Sequence, residues 1–241
     1  MTLVTTSDIA GLAAIPGIGA IAGVGTSGRG PDRRTGPYTH HVSPSPSTAV
    51  LIPVKSFALA KLRLAGVLDE AARAALARGM AERVAAAAAP LPVWCVCDDP
   101  TVAEWATTVG ATVEWTPGLG LNGAVHAAVE RRRSAGTHRV VVAHGDLPFA
   151  TELAAFSVAA PDELLIAPDR RGTGSNVVSV PTTVAFRFSY GPDSFERHCA
   201  EAARLGLRVR VVRGEGLGWD IDEPGDLDTP AHLGALPGAV T

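Results

Sequence analysis

From Ala49 onward the apolar and polar positions fall into two alternating kinds of segment. Short apolar runs recur: "AVLIPVK" (49–55), "PVWCVCDD" (92–99), "ATVEW" (111–115), "HRVVVAHGD" (138–146), "ELLIAPD" (163–169), "SNVVSVP" (175–181) and "LRVRVV" (207–212). Each is too short for a helix and rich in β-branched residues, which reads as a buried strand. Between most of them lie stretches with helical spacing. "DEAARAALARGMAERVAAAAA" starts at Asp69, a capping residue, and "DPTVAEWATTVG" closes on Gly110. "LNGAVHAAVERRRSAG" ends at Gly136, "TELAAFSVAA" opens on Thr151 as a cap, and a further helix is expected from Asp193 to Leu205. "EPGDLDTPAHL" closes the chain with a turn and a helix. Strands alternating with helices imply right-handed crossovers. The expected class is therefore α/β: a single domain with a mostly parallel, Rossmann-like sheet covered by helices.

Residues 1–47 break the pattern. "IAGLAAIPGIGAIAGVGTSGRG" is apolar, but Gly and Pro interrupt it well short of the ~18 residues of a membrane span. "MTLVTTSD" lacks the basic start of a signal peptide, and "TGPYTHHVSPSPST" reads as a flexible linker. The expected organisation is a flexible extension (1–47), a globular domain (48–236) and a short tail (237–241). A cytoplasmic protein without membrane partners is expected, and a homodimer is left open.

Charge narrows the partners. With 21 basic and 24 acidic residues the formal net charge is -3, which argues against a nucleic-acid binder. The three cysteines, Cys95, Cys97 and Cys199, are too few for a zinc site and read as buried thiols.

In a parallel sheet the strand ends share one edge, and ligands bind there. That edge collects the candidate chemistry. Lys55, Lys61 and Arg63 follow the first run and suit a triphosphate. Asp146 ends the "RVVVAHGD" strand, and Asp220 and Asp222 stand two apart in "GWDIDEPGD". In extended chain those two share a face, and such carboxylates with phosphate oxygens suit Mg2+. "GTGSN" brings Gly-lined backbone and the Ser175 hydroxyl, and "YGPDS" sets Gly191 and Ser194 at a helix start, where an anion is favoured. Asp98 and Asn122 lie near the second and third strand ends. Each feature has a plain structural alternative: solvated charges, tight turns or helix caps. His144 reads as a packed residue rather than a base.

Taken in order, "LIPVKSFALAKLRLAG", "LNGAVHAA", "VVVAHGDLPF", "APDRRGTGSNVV", "YGPDSFERH" and "WDIDEPGDL" resemble the guanylyltransferases of deazaflavin coenzyme F-420 biosynthesis. The resemblance spans about residues 49 to 235. It implies a nucleotide-diphospho-sugar-transferase-like fold. It also implies transfer of GMP from GTP to a three-carbon phospho-acid, phosphoenolpyruvate or 2-phospho-L-lactate, with release of pyrophosphate. By the same resemblance Ser175, Gly191 and Ser194 hold the phospho-acid, and Asp146 with Asp220 and Asp222 holds magnesium. Lys55, Lys61, Arg63 and Asp146 are the catalytic set, and Lys55, Arg63, Asp98 and Asn122 meet the nucleotide. Ser175 keeps the hydroxyl of the family's usual Thr, whereas Leu62 replaces the Thr of its usual "AKTRL". Two alternatives stand beside this reading: another nucleotidyltransferase of the same fold, of molybdenum-cofactor or sugar-phosphate type, and a non-catalytic nucleotide-binding module.

Overall fold

The computed structural model describes residues 2–5 and 47–238. Strands run β1 Thr2–Thr5, β2 Thr48–Pro53, β3 Val93–Cys97, β4 Thr112–Trp115, β5 Arg139–Ala143, β6 Glu163–Pro168, β7 Ser175–Pro181 and β8 Arg208–Arg213. Helices are α1 Glu70–Ala87, α2 Pro100–Thr108, α3 Gly120–Ser134, α4 Ser194–Arg204 and the single turn α5 Glu215–Gly218. They build one sheet in the order β1-β8-β6-β7-β5-β2-β3-β4. All neighbours are parallel except β7, which runs against both β5 and β6. That reversal matters for function, because the start of β7 lies at the edge where the parallel strands end.

The apolar runs are continuous because both sheet faces are covered. Odd and even positions then serve different layers. Leu51, Val140, Val142, Leu164, Ile166 and Val178 pack toward α3 and α4, with Val125, Ala128 and Ala202. Val50, Ile52, Val141, Ala143, Leu165 and Val177 face the other layer, with Val84 of α1 and Phe156. Asp69 caps α1 by accepting the Ala72 N–H at 2.8 Å, as its position foretold. Cys95 and Cys97 are buried free thiols, and Cys199 is a half-buried one.

Two expectations need correction. "TELAAFSVAA" forms only a 3-10 turn over Leu153–Ser157, with Glu152 rather than Thr151 at its start. Leu153 and Phe156, three apart and fully buried, satisfy one such turn, and Pro161 stops its extension. The closing helix is likewise two 3-10 turns, Pro224–Leu227 and Ala231–Leu233, separated by Pro230. In the N-terminal extension Thr2–Thr5 adds a strand parallel to β8, while residues 6–46 lie outside the described residues. Among the described residues no helix is long and apolar enough to cross a membrane.

Candidate active site

A small apolar cluster assembles the charged end of the site. Leu64 and Ile221 are both fully buried and pack together with Leu76 and Met80. Each carries polar neighbours with it. Leu64 ends the 3-10 turn Leu62–Leu64, and the residue that precedes the turn, Lys61, holds a left-handed backbone with φ 52. Such a conformation is costly for a lysine and is kept only where the surroundings enforce it. Ile221 points inward, so Asp220 and Asp222 on either side of it face the cleft. The Ile221 N–H donates to the Asp146 carbonyl at 3.3 Å, which joins the segment to the end of β5.

Lys61 is the hub. Its Nζ donates to Asp146 Oδ2 at 2.7 Å and to Asp222 Oδ1 at 2.9 Å. Its side chain is only 11% exposed. Burial pulls the amine downward, yet the two carboxylates override it and hold the ammonium above its usual range. Burial pushes the Asp146 carboxyl up, but the Lys61 charge wins and holds it below the usual range. Asp220 goes the other way. Burial, together with repulsion from Asp146, Asp222 and Asp169, pushes it up to about 6. Asp146 Oδ1 is buried with no partner.

This donor set fits a cation that brings oxygens of its own. One ammonium is shared by two carboxylates, one of which keeps a buried oxygen without a partner, and Asp220 beside them is repelled by its neighbours. Magnesium takes one or two protein carboxylates plus phosphate oxygens. Among the described residues no three His, Cys, Asp or Glu side chains chelate an ion unaided, because the Lys61 amine stands between Asp146 and Asp222.

At the other end the hydroxyl loop and the helix start come together. Ser175 opens β7 and is buried. The Phe195 N–H donates to the Thr173 carbonyl at 3.0 Å, tying "GTGSN" to the first turn of α4. Asp169 closes that loop by accepting from the Thr173 N–H at 2.8 Å. Gly191 takes φ 121, a backbone that favours glycine, and Ser194 is buried at the first position of α4.

The remaining candidates sit farther from the hub. Lys55, Arg63 and Asp98 are exposed, and among the described residues Lys55 and Arg63 enter no ion pair. Asn122 uses its amide on backbone: it accepts from the Tyr190 N–H at 2.7 Å and donates to the Tyr190 carbonyl at 3.2 Å. It thereby anchors the residue preceding Gly191.

Two residues that the sequence did not flag organise the site. Asp226, buried, accepts from the Asp222 and Glu223 N–H groups at 2.7 Å each. It also pairs with Arg170, which lies over the Trp219 ring at 4.4 Å. Glu223 immediately before the turn Pro224–Leu227 and Asp226 three residues later, inside it, form a capping box, and that spacing could have found it. His198 is the second, bonded to Ser175 Oγ at 2.9 Å. It lies one helical turn after Ser194 on the same face of α4.

Comparison with known proteins accords with this geometry. Residues 48–230 match the family described as Guanylyl transferase CofC like. A phosphoenolpyruvate guanylyltransferase of Chloroflexus aggregans is 35% identical over 187 residues, covering 72% of this chain and 92% of the relative. Two solved structures share the fold. One, from Desulfovibrio desulfuricans, is assigned as a nucleotide-diphospho-sugar transferase and has TM-score 0.59 at 18% identity, covering 75% of this chain and 84% of that one. The other, a Methanothermobacter nucleotidyl transferase, has TM-score 0.56 at 13% identity, covering 78% and 98%. With its family match over most of the chain and a nucleotidyltransferase fold beneath it, the chain belongs to the CofC-like guanylyl transferases.

Proposed function

We propose that this protein transfers GMP from GTP to phosphoenolpyruvate and releases pyrophosphate, the coenzyme F-420 step that the family resemblance implies. The carrying observation is the meeting of Lys61, Asp146 and Asp222 at the strand edge that also holds Ser175, Gly191 and Ser194. Cations there suit the triphosphate, and hydroxyls with a helix N-terminus suit the acceptor's anionic groups. The phosphoenolpyruvate guanylyltransferase name of the Chloroflexus relative supports the choice of acceptor. Small phosphorylated substrates and a nucleotide triphosphate fit a cytoplasmic enzyme.

Asp146, Asp220 and Asp222 would hold a magnesium ion, whose chemistry when bound is to neutralise charge on the phosphates. Lys61 keeps one N–H beyond the two given to Asp146 and Asp222, and it directs this toward the triphosphate. Lys55 and Arg63 screen the outer phosphates. Ser175, Ser194 and the backbone at Gly191 orient the acceptor. The acceptor's phosphate oxygen forms a bond to the α-phosphorus of GTP as the bond to the bridging oxygen breaks, and pyrophosphate departs with that electron pair. The nucleophile is already anionic, so no side chain needs to act as base. Positioning and charge supply the rate.

The test offers purified protein GTP with phosphoenolpyruvate, 2-phospho-L-lactate or 3-phosphoglycerate in separate reactions, and identifies products by mass. A GMP–phosphoenolpyruvate conjugate with equimolar pyrophosphate is expected. Turnover with CTP in place of GTP, or tight GTP binding without pyrophosphate from any acceptor, overturns the reading.

A further inference from the structure

His198 is fully buried, carries no part of the mechanism above, and touches a residue that does. Its two ring nitrogens have different partners. The Ser189 backbone N–H donates to Nε2 at 2.9 Å. A backbone N–H can only donate, so Nε2 is an acceptor and bears no proton. The proton of the neutral ring is therefore on Nδ1. Nδ1 lies 2.9 Å from Ser175 Oγ and donates to it. The hydroxyl's own hydrogen is thus excluded from the His198 side and must point elsewhere.

The ring cannot swing away from this arrangement. Tyr190 packs edge-on against it at 4.9 Å between ring centres, and Phe186 and Phe188 flank it at 5.8 and 6.1 Å. Burial also lowers its pKa to about 4, so the ring stays neutral and Nε2 keeps its lone pair for Ser189. The polar chain Ser189–His198–Ser175 then ends in one O–H, at the strand end that faces Gly191 and Ser194 across the Phe195–Thr173 link.

We infer that His198 is a positioning residue: it fills the acceptor lone pair of Ser175 and turns the serine O–H toward the anion bound between β7 and α4. This builds on the proposed acceptor site, since it assigns Ser175 a fixed donor role there. A hydroxyl free to rotate would spend part of its time presenting a lone pair to an anion, and the donation from Nδ1 removes that option.

Two measurements test it. The first uses the protein without substrates. The nitrogen-15 shifts of the His198 ring at neutral pH should show a protonated Nδ1 and an acceptor Nε2; an Nε2–H tautomer overturns the inference. The second is kinetic. His198→Phe should raise the KM for phosphoenolpyruvate about threefold, the cost of fixing a hydroxyl that has three staggered positions, with the KM for GTP unchanged. His198→Asn, whose amide can replace Nδ1 as donor, should recover most of that loss, and His198→Gln should not. Ser175→Ala, which removes the donor outright, should cost more than His198→Phe, and the double variant should be no worse than Ser175→Ala alone. Multiplying effects in the double variant, equal damage from Asn and Phe, or a parallel rise in the KM for GTP would each mark His198 as merely structural. If the wild-type protein couples GTP to no acceptor, the proposed function fails while the ring measurement still decides this inference. If His198→Phe does not fold, the Asn and Gln pair and the ring shifts carry the test.

Discussion

At one end of the cleft two carboxylates share a single ammonium and a third, Asp220, stands beside them; at the other a serine, a histidine and a backbone amide are linked in one chain. The first group carries surplus negative charge and an orphan oxygen, Asp146 Oδ1. The second is neutral and fully paired apart from one hydroxyl hydrogen. The difference separates two ways of preparing a site. A neutral network can be finished within the fold, because its members cost little to bury once bonded. A charged network aimed at a polyphosphate is left unbalanced, so that the missing positive charge arrives with the ligand. Its cost is carried by the surrounding packing, here Leu64 and Ile221.

The strongest way to break the comparison is Asp146→Asn. If the charged end is built for ligand rather than for stability, activity and folding must part company. Turnover is expected to fall about a thousandfold, or about 4 kcal/mol in barrier height. Stability is expected to change by about 1 kcal/mol or less: the amide keeps the shape, Lys61 keeps Asp222, and the burial cost of one charge disappears. Steady-state rates at saturating magnesium and urea unfolding measure the two quantities. Near-normal turnover, or unfolding that accounts for the lost rate, would remove the distinction.

How much of this was legible beforehand follows the same division. The layered sheet was readable because burial on both faces leaves uninterrupted apolar runs, as at Val140–Ala143 and Leu164–Ala167. Asp146, Asp220 and Lys61 were readable because charges at strand ends are conspicuous. The meeting of Lys61 with Asp222 was not, since it depends on Leu64 finding Ile221 across the chain. His198 was hidden by context. A histidine inside an amphipathic helix looks like any other half-polar residue until the strand beneath it is known to begin with Ser175. Asp226 was hidden by its neighbours, one carboxylate in "DIDEPGDLD". The 3-10 turn at Leu153–Ser157 was misread because two apolar residues three apart satisfy the helical template as well as they satisfy one tight turn.

A smaller effect is expected at the neutral end, and pH exposes it. The folded His198 value of about 4 lies below the ~6.5 of an unfolded histidine. Between those values the unfolded chain binds the additional proton, so stability rises with pH through that window. The contribution is complete above about pH 6.5 and is lost as acidification approaches the folded value. Going from about pH 7 to about pH 5, it should cost about 2 kcal/mol. His144, also lowered chiefly by burial, adds to the same slope. Urea unfolding of His198→Asn at both pH values should therefore show a shallower slope than wild type, though not a flat one. An unchanged slope would mean that His198 is not held neutral by its surroundings, and the contrast with the charged end would weaken.

The smallest effect lies within the basic loop itself, where Lys61 differs from its two neighbours. Lys61 is nearly enclosed and paired, whereas Lys55 and Arg63 are exposed and, among the described residues, unpaired. An exposed cation acts on a bound anion through water, which limits it to about 0.5–1 kcal/mol. Lys55→Ala and Arg63→Ala are each expected to raise the KM for GTP about two- to fivefold with kcat nearly unchanged. The loss should shrink in about 0.5 M salt, where screening has already removed most of the exposed contribution. Lys61→Ala should behave differently, losing kcat as well and retaining that loss at high salt, because its charge is screened by protein rather than by ions. The measurement is a salt series of KM and kcat for the three variants. A loss of kcat at Lys55 or Arg63 that persists in high salt would place that residue on the reacting phosphates with Lys61. The charged end would then extend over the whole loop, instead of narrowing to one enclosed ammonium between two carboxylates.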